Sequence, residues 1–226
     1  MTRLRAVVLA CVLGCGTQAF AQAARPTRRP DPPPLPPPTF EVGGFAMLGL
    51  MSFTATDTFD VALGSPLGSM YGGGVHVGLP LGGLFVNLGG WRFSHVGERV
   101  FVFDGEKFSL GIPLEVTITP IELTGGWRFR LRRAPQFRPY LSGGISSYGY
   151  REISEFATTA ENVDERFTGY HLAGGAEVQV ERWLGVGLEL NWTTVPDAIG
   201  DSGVSKVFNE NNLGGTSIRV KITIGR

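Results

Sequence analysis

Hydrophobic and polar residues alternate along most of the chain from Phe40 onward, in segments of about ten residues separated by Gly, Pro, Asn and Asp. The clearest segment places Leu184, Leu188 and Trp192 on one face of a strand. Its other face carries Glu189 and neighbouring glycines. Helical periodicity is almost absent. The pattern therefore predicts an all-β chain whose strands each have one apolar and one polar face.

Eight such segments are interpreted as strands, near residues 40–54, 70–79, 84–95, 116–131, 138–151, 168–181, 184–195 and 214–225. The connections between them alternate in length. Long ones are predicted at 55–69, 96–115, 152–167 and 196–213, and short ones at 80–83, 132–137 and 182–183. An even number of strands with this alternation is typical of a membrane barrel. We therefore predict an eight-stranded, antiparallel, up-and-down transmembrane β-barrel with both termini in the periplasm and four loops outside.

The direction of the apolar face separates two kinds of barrel. A soluble barrel buries its apolar face, whereas a membrane barrel turns that face to lipid. Aromatic residues near the strand ends indicate an interfacial girdle and favour the membrane barrel. These residues are Phe40, Phe53, Tyr71, Trp91, Phe93, Trp127, Phe129, Tyr140, Tyr148, Tyr150, Tyr170, Trp183 and Trp192.

The polar faces then place charged residues in a narrow lumen, where an unpaired charge is costly. Counting along the last two strands puts Glu189 and Arg219 at the same height. We predict a buried ionic network centred on Glu189, Arg219 and Lys221. Its outer members are expected to be Glu177 and, from the fourth strand, Glu122, Arg128 and Arg130. The alternative is that each charge is solvated separately in an open channel.

Two segments precede the predicted barrel domain, which spans residues 40–226. Residues 1–21 have the features of a signal peptide, with two arginines, an apolar run and the triplet Ala19-Phe20-Ala21 before the cleavage site. Cleavage there removes Cys11 and Cys15, the only cysteines. The alternative is a lipoprotein signal in which Cys15 is acylated. Residues 22–39 hold most of the prolines and predict a stiff periplasmic tether, either a spacer or an arm for a partner.

Several segments resemble the bacterial outer-membrane β-barrel domain family of small OmpA-like and opacity-like barrels. The stretches GYHLAGGAEVQV at 169–180, RWLGVGLE at 182–189 and VPDAIG at 195–200 are similar to its last third. TPIELTGGWRF at 119–129 and RPYLSGG at 138–144 are similar to its middle strands. The resemblance covers about residues 40–226. It implies residence in the outer membrane and, as partners, outer-membrane lipids, lipopolysaccharide and the barrel assembly machinery.

Candidate chemistry is sparse. The 20 basic and 20 acidic residues balance, which gives no indication of a nucleic-acid surface. Some small barrels modify lipid A with a Ser and a His, and Ser94-His95 with Glu98 is the best candidate for such a site. Adjacent strand residues face opposite sides, so this pair needs a bulge. His76 and His171 are expected to be lumen histidines.

Loop acids show no spacing of an EF-hand loop. We therefore expect no metal. Because no cofactor motif is found and Ser94 and His95 face opposite sides of a strand, we also expect no cofactor and no enzymatic activity. The predicted role is structural or adhesion-like, with a host or surface ligand at the loops. A lipid A-modifying enzyme and a narrow pore remain the alternatives.

Overall fold

The computed structural model describes residues 40–103, 106–154, 162–200 and 203–225. The predicted signal peptide and the predicted tether lie outside these ranges. The described residues form a closed antiparallel barrel in which each strand pairs with its sequence neighbours and β1 pairs with β8. The strands are β1 (Glu41–Phe53), β2 (Leu67–Gly78), β3 (Leu84–Phe103), β4 (Glu106–Arg128), β5 (Phe137–Ser154), β6 (Val163–Glu181), β7 (Leu184–Thr194) and β8 (Gly215–Gly225). The predicted fold class, an eight-stranded up-and-down barrel, is confirmed.

The two ends of the barrel differ. At one end lie Glu41, Gly225 and the short connections 79–83, 129–136 and 182–183, and we refer to it as the turn end. The opposite end carries the β1–β2, β3–β4, β5–β6 and β7–β8 connections, and we refer to it as the loop end. This separation matches the predicted alternation of short and long connections.

Alternate residues of each strand face opposite sides of the barrel wall. On β7, Leu188 and Leu190 face outward and are 58% and 56% exposed, whereas Glu189 between them is 7% exposed. β8 repeats the pattern, with Val220 exposed and Arg219 buried. The apolar faces therefore lie outside and the polar faces line the lumen, as predicted for a membrane barrel.

The outward apolar residues form a band with aromatic residues at both edges. The edge at the turn end carries Phe40, Trp127, Phe129, Phe137 and Trp183, and the edge at the loop end carries Tyr71, Tyr170 and Trp192. Beyond the second edge the outward positions become polar, as at Ser52, Ser69, Arg92, Thr119, Ser147, Thr168, Thr194 and Thr216. Such a band between two aromatic girdles is the surface that a bilayer requires.

Strands β3 to β6 continue far beyond the band, which corrects the prediction of long loops at 96–115 and 152–167. We refer to their projecting parts, residues 93–103, 106–118, 148–154 and 163–169, as the loop-end wall. On β4 within this wall the alternation is inverted: Leu114, Val116 and Ile118 face inward and are buried, while Glu115 faces outward. The inversion follows from the surroundings, because the outer face of the wall meets water rather than lipid.

Pairing on the two sides of the loop-end wall stops near the height of the band. β2 pairs with β3 only as far as Tyr71 and Arg92, and β6 pairs with β7 only as far as Tyr170 and Thr194. Within the wall, β4 and β5 remain paired up to Leu114 and Ser154. The barrel is therefore much taller on one side than on the other.

Two short helices occupy loop-end connections, although the sequence pattern predicts none. Helix α1 (Thr56–Leu63) follows β1, and helix α2 (Gly203–Val207) precedes β8. Helix α1 is terminated by Gly64, the residue after Leu63, whose φ of 77° favours glycine. No helix in the described ranges is long and apolar enough to cross a membrane.

Helix α1 packs against the inner face of the loop-end wall. Gly97 of β3 makes this close approach possible, because a Cβ atom there would lie 1.9 Å from the carbonyl oxygen of Ala62. Phe59 of the helix stacks on Phe53 with ring centroids 4.1 Å apart, and Phe53 meets Phe93 edge-on at 5.0 Å. The helix thus covers the lumen from the loop end.

Candidate functional site

The centre of the lumen holds a buried cluster around Arg219. Its guanidinium donates from both terminal nitrogens to Glu122, with Nη1 3.1 Å from Oε2 and Nη2 3.2 Å from Oε1. Nη1 also lies 3.5 Å from Oε1 of Glu189, the directly paired residue on β7. Nε donates to Ser217 at 3.0 Å. Since all three charged side chains are less than 10% exposed, the ion pairs are shielded from solvent.

Lys221 extends this central cluster toward the turn end. Its Nζ lies 3.9 Å from Oε2 of Glu189 and 4.3 Å from the ring centroid of Phe45. The ring of Tyr140 lies on a further side at 5.8 Å, and its hydroxyl donates to Glu189 at 2.8 Å. Aromatic faces and a carboxylate together stabilise a buried ammonium group.

The structure brings some of the predicted network residues together and separates others. Glu122, Glu189, Arg219 and Lys221 lie within one connected cluster. Glu177 lies apart from these ion pairs and accepts a hydrogen bond from Thr223 Oγ1 at 2.9 Å.

Arg128 and Arg130 belong to a second cluster at the turn end. Both contact Glu41, at 3.2 Å and 3.8 Å, and Arg138 approaches the same carboxylate at 3.5 Å. Arg130 lies just beyond the end of β4, so the alternation of strand residues does not assign its side chain to the lumen. Three guanidinium groups therefore surround one carboxylate.

Sequence reasoning missed several members of these clusters. Glu41 and Arg138 occupy inward positions near the ends of β1 and β5, and strand parity alone could have placed them in the lumen. Trp91, Tyr140 and Tyr148 were expected in the outer girdle but are buried inside the barrel. Trp91 donates to Oε1 of Glu122 at 2.8 Å, which explains why an aromatic residue with a polar group is suited to this position.

Between the central cluster and the loop end, the lumen is filled by apolar side chains. Met51, Met70, Ile118 and Tyr148 are at most 2% exposed and pack into one core with Trp91. Helix α1 adds Phe59 and Leu63 to this core. We refer to this packed layer as the apolar plug. It separates the polar lumen from the loop end.

Glu210 of the β7–β8 connection holds helix α1 in place. Its carboxylate accepts hydrogen bonds from the backbone amides of Asp57 at 3.1 Å and Thr58 at 2.8 Å. These amides belong to the first turn of the helix, where no intrahelical acceptor is available. These hydrogen bonds therefore link the β1–β2 and β7–β8 connections on the loop-end side of the plug.

The residues of the predicted catalytic alternative do not converge. Ser94 faces outward and contacts Glu115 at 3.0 Å and Thr117 at 3.2 Å. His95 instead stacks beside Phe93 with centroids 6.3 Å apart. Glu98 accepts a hydrogen bond from Ser109. The Ser94 hydroxyl and the His95 ring therefore have different partners.

The other two histidines lie in the lumen, as the sequence predicts. His171 contacts Thr124 Oγ1 through Nε2 at 2.9 Å, and His76 is buried near the turn end. Within the described ranges, no group of three or more His, Cys, Asp or Glu side chains is arranged to hold a metal ion.

Comparison with known proteins identifies the fold. No family model matches the chain, and no curated protein matches it. Neisserial surface protein A is similar in structure, with a TM-score of 0.50 and 10% identity over 83% of this chain and 97% of that chain. The chain has the fold of a small outer-membrane barrel.

Two further solved structures are similar at lower TM-scores. The N-terminal β-barrel domain of Pseudomonas aeruginosa OprF has a TM-score of 0.45 and 11% identity, covering 82% of this chain and 97% of that chain. Ail, the attachment invasion locus protein of Yersinia pestis, has a TM-score of 0.44 and 8% identity, covering 82% and 95%.

Proposed function

We propose that this protein is an integral outer-membrane barrel with a surface-interaction role at its loop end. The observation that carries the proposal is the inverted exposure of the strands. Leu188 on β7 and Val220 on β8 are exposed, while their strand neighbours Glu189 and Arg219 are buried. Exposing so much apolar surface to water would be unfavourable, whereas lipid accommodates it. In a barrel whose short connections face the periplasm, the turn end and both termini lie on the periplasmic side and the loop end faces outward.

The loop end offers the surface for a ligand. The loop-end wall rises beyond the apolar band, and near its tip Phe101 and Phe108 are directly paired and about half exposed. Val96 and Leu110 are also exposed on the wall. Exposed apolar side chains on a sheet outside the membrane favour contact with a host or surface ligand. Lipopolysaccharide would surround the base of the wall, and the barrel assembly machinery remains a predicted partner.

The packing of the lumen argues against the alternative of a narrow pore. The apolar plug fills the lumen between the central cluster and the loop end, and helix α1 covers it. An ion crossing the barrel would have to displace Met51, Ile118 and Tyr148. The lipid A-modifying alternative has less support, because Ser94 and His95 do not form a hydrogen-bonded pair.

Cysteine labelling in intact cells tests the orientation. Val96 in the loop-end wall and Leu81 in a turn-end connection are almost equally exposed, at 64% and 62%. We expect a membrane-impermeant maleimide to label Val96→Cys in intact cells and Leu81→Cys only after the outer membrane is permeabilised. The unsubstituted chain serves as the background. Labelling of Leu81→Cys alone in intact cells would reverse the orientation.

Shortening the β3–β4 hairpin tests the surface role. Gly97 and Leu114 are directly paired, so an Asn-Gly turn can replace residues 98–113 without changing the barrel register. We expect the shortened protein to keep the heat-modifiable gel migration of a folded barrel. Attachment of expressing cells to one another and to protein-coated polystyrene should fall to the level of cells without the protein.

A milder variant separates loss of the hairpin from loss of its apolar tip. Phe101→Ser combined with Phe108→Ser retains the hairpin length, and we expect it to reduce attachment as well. Unchanged attachment by both the shortened and the doubly substituted protein would overturn the surface role of this hairpin.

A further inference from the structure

A cavity of about 440 Å³ opens at the turn end of the barrel, below the central cluster. Arg128, Arg138 and Arg182 line it together with Glu41 and Glu177. The three guanidinium groups outnumber the two carboxylates. Such a volume is typical of pockets for small ligands. The cavity therefore combines adequate space with an excess of positive charge.

The hydrogen-bond donors in this cavity also outnumber the acceptors. A guanidinium carries five N–H donors, and Arg128 and Arg138 share the carboxylate of Glu41. Arg138 directs a further nitrogen to Gln179 Oε1 at 2.7 Å. The Nε of Arg128 is buried without a hydrogen-bond partner in the protein. A ligand rich in acceptor oxygens would complement this set.

His76 provides an independent indication of a ligand. Its side chain is 5% exposed, lines the cavity and has no hydrogen-bond partner in the protein on either ring nitrogen. A buried imidazole without a partner is costly, because both nitrogens lose their hydrogen bonds to water. A ligand oxygen in the cavity would restore a partner to His76.

The rim of the cavity extends to the outer surface of the barrel. Phe40 and Trp183 line it and are 65% and 55% exposed within the turn-end girdle. Leu184, at the start of the apolar face of β7, lines it as well. The cavity thus connects the arginines of the lumen with the edge of the apolar band.

We propose that this cavity binds a phosphate group. The N–H groups of Arg128 and Arg138 that Glu41 and Gln179 leave unused suit charge-assisted contacts to phosphate oxygens, and the exposed Arg182 supplies a further charge at the rim. The phosphate belongs either to a phospholipid headgroup of the inner leaflet or to a soluble phosphate ester. The lipid source rests on the proposed membrane placement, whereas the soluble source does not.

Matched ligands distinguish the two sources. The folded full chain, extracted from outer membranes in a nonionic detergent, is offered phosphatidylglycerol or a diacylglycerol with the same acyl chains, and adducts are counted by native mass spectrometry. Glycerol 3-phosphate and glycerol are compared by calorimetry. We expect binding of at least one phosphate compound and of neither phosphate-free partner. Binding of phosphatidylglycerol alone assigns the lipid source, and binding of glycerol 3-phosphate assigns a soluble ester.

Substitutions within the cavity test whether the phosphate binds there. Arg138→Gln and Arg182→Gln should each weaken binding about tenfold, since each removes a charge-assisted contact. Arg182 is exposed, so its replacement should leave folding intact. Arg166→Gln, on the outer face of the loop-end wall, is the matched control and should bind normally.

Failure to bind either phosphate compound would overturn the proposal, and so would equal binding by the wild type and both cavity variants. Heat-modifiable migration and outer-membrane fractionation of the same preparations report on membrane placement separately. A barrel that fractionates with the outer membrane but binds no phosphate therefore leaves the proposed function standing while this inference fails.

Discussion

Arg219→Met should lower the free energy of unfolding by about 3–5 kcal/mol, because it leaves the buried carboxylate of Glu122 without its cation and leaves Glu189 with Lys221 alone. Glu122 loses a bidentate partner and Glu189 loses a contact at 3.5 Å. Urea titration of the protein folded in lipid vesicles measures the change. A loss below about 1 kcal/mol would mean that the lumen is hydrated enough to solvate these carboxylates separately.

Two comparisons isolate the contribution of the buried pair. Double-mutant cycles should give a coupling energy above about 1 kcal/mol for Glu122→Gln with Arg219→Gln, and a smaller value for Glu189→Gln with Arg219→Gln. The ion pair of Arg151 and Asp164 serves as the control, since both side chains are more than half exposed. Arg151→Gln should change stability by less than about 1 kcal/mol.

Leu188→Arg should destabilise the folded barrel in vesicles by about 2–4 kcal/mol, the cost of a cation near the middle of a bilayer. Leu188 is the central outward residue of β7, and its partner Val220 is also apolar and exposed. Leu81→Arg is the matched control, because Leu81 has a similar exposure but lies in a turn-end connection. Its effect should stay within about 0.5 kcal/mol. Equal costs for the two variants would contradict the assignment of the apolar band to lipid.

The strands within the apolar band could be predicted from the sequence because one face meets lipid and the other meets the lumen. On β7 this contrast is uninterrupted from Leu184 to Trp192, and the structure ends the strand at Thr194, one residue before the prediction. Direct pairing of Glu189 with Arg219 could be predicted because β7 and β8 are short neighbouring strands. Counting residues from the turn end places the two side chains at the same height. Period and parity suffice where the environment stays constant along a strand.

The loop-end wall could not be predicted in the same way because the environment of its strands changes. On β4 the outward residues Ile121 and Leu123 are apolar, whereas beyond Pro120 the apolar residues Val116 and Ile118 face inward. Because the apolar residues change from the outward to the inward side near Pro120, the regular alternation is lost there. The sequence pattern therefore predicts a strand only from about residue 116 and assigns the residues before it to a loop.

Helix α1 escaped prediction because it is short and its apolar residues serve the barrel core. Phe59 and Leu63 have helical spacing, but eight residues give too few turns for a clear periodic signal. The sequence predicts the turn-end cluster only in part. It places Arg128 and Arg130 in the lumen but not their partner Glu41, which lies at the first residue of β1, where strand boundaries are least certain.

The unequal heights of the strands have a consequence for association. A sheet that closes on itself has no edges, but this sheet closes only up to the pairs Tyr71–Arg92 and Tyr170–Thr194. Above them, β3 and β6 have no ladder partner on one side among the described residues. Such edges expose backbone amides and carbonyls that can pair with a strand of another chain. Glu98 on β3 and Asp164 on β6 place negative charges along these edges, and charged side chains at an edge disfavour pairing with another chain. We therefore expect replacement of both by uncharged residues to increase self-association.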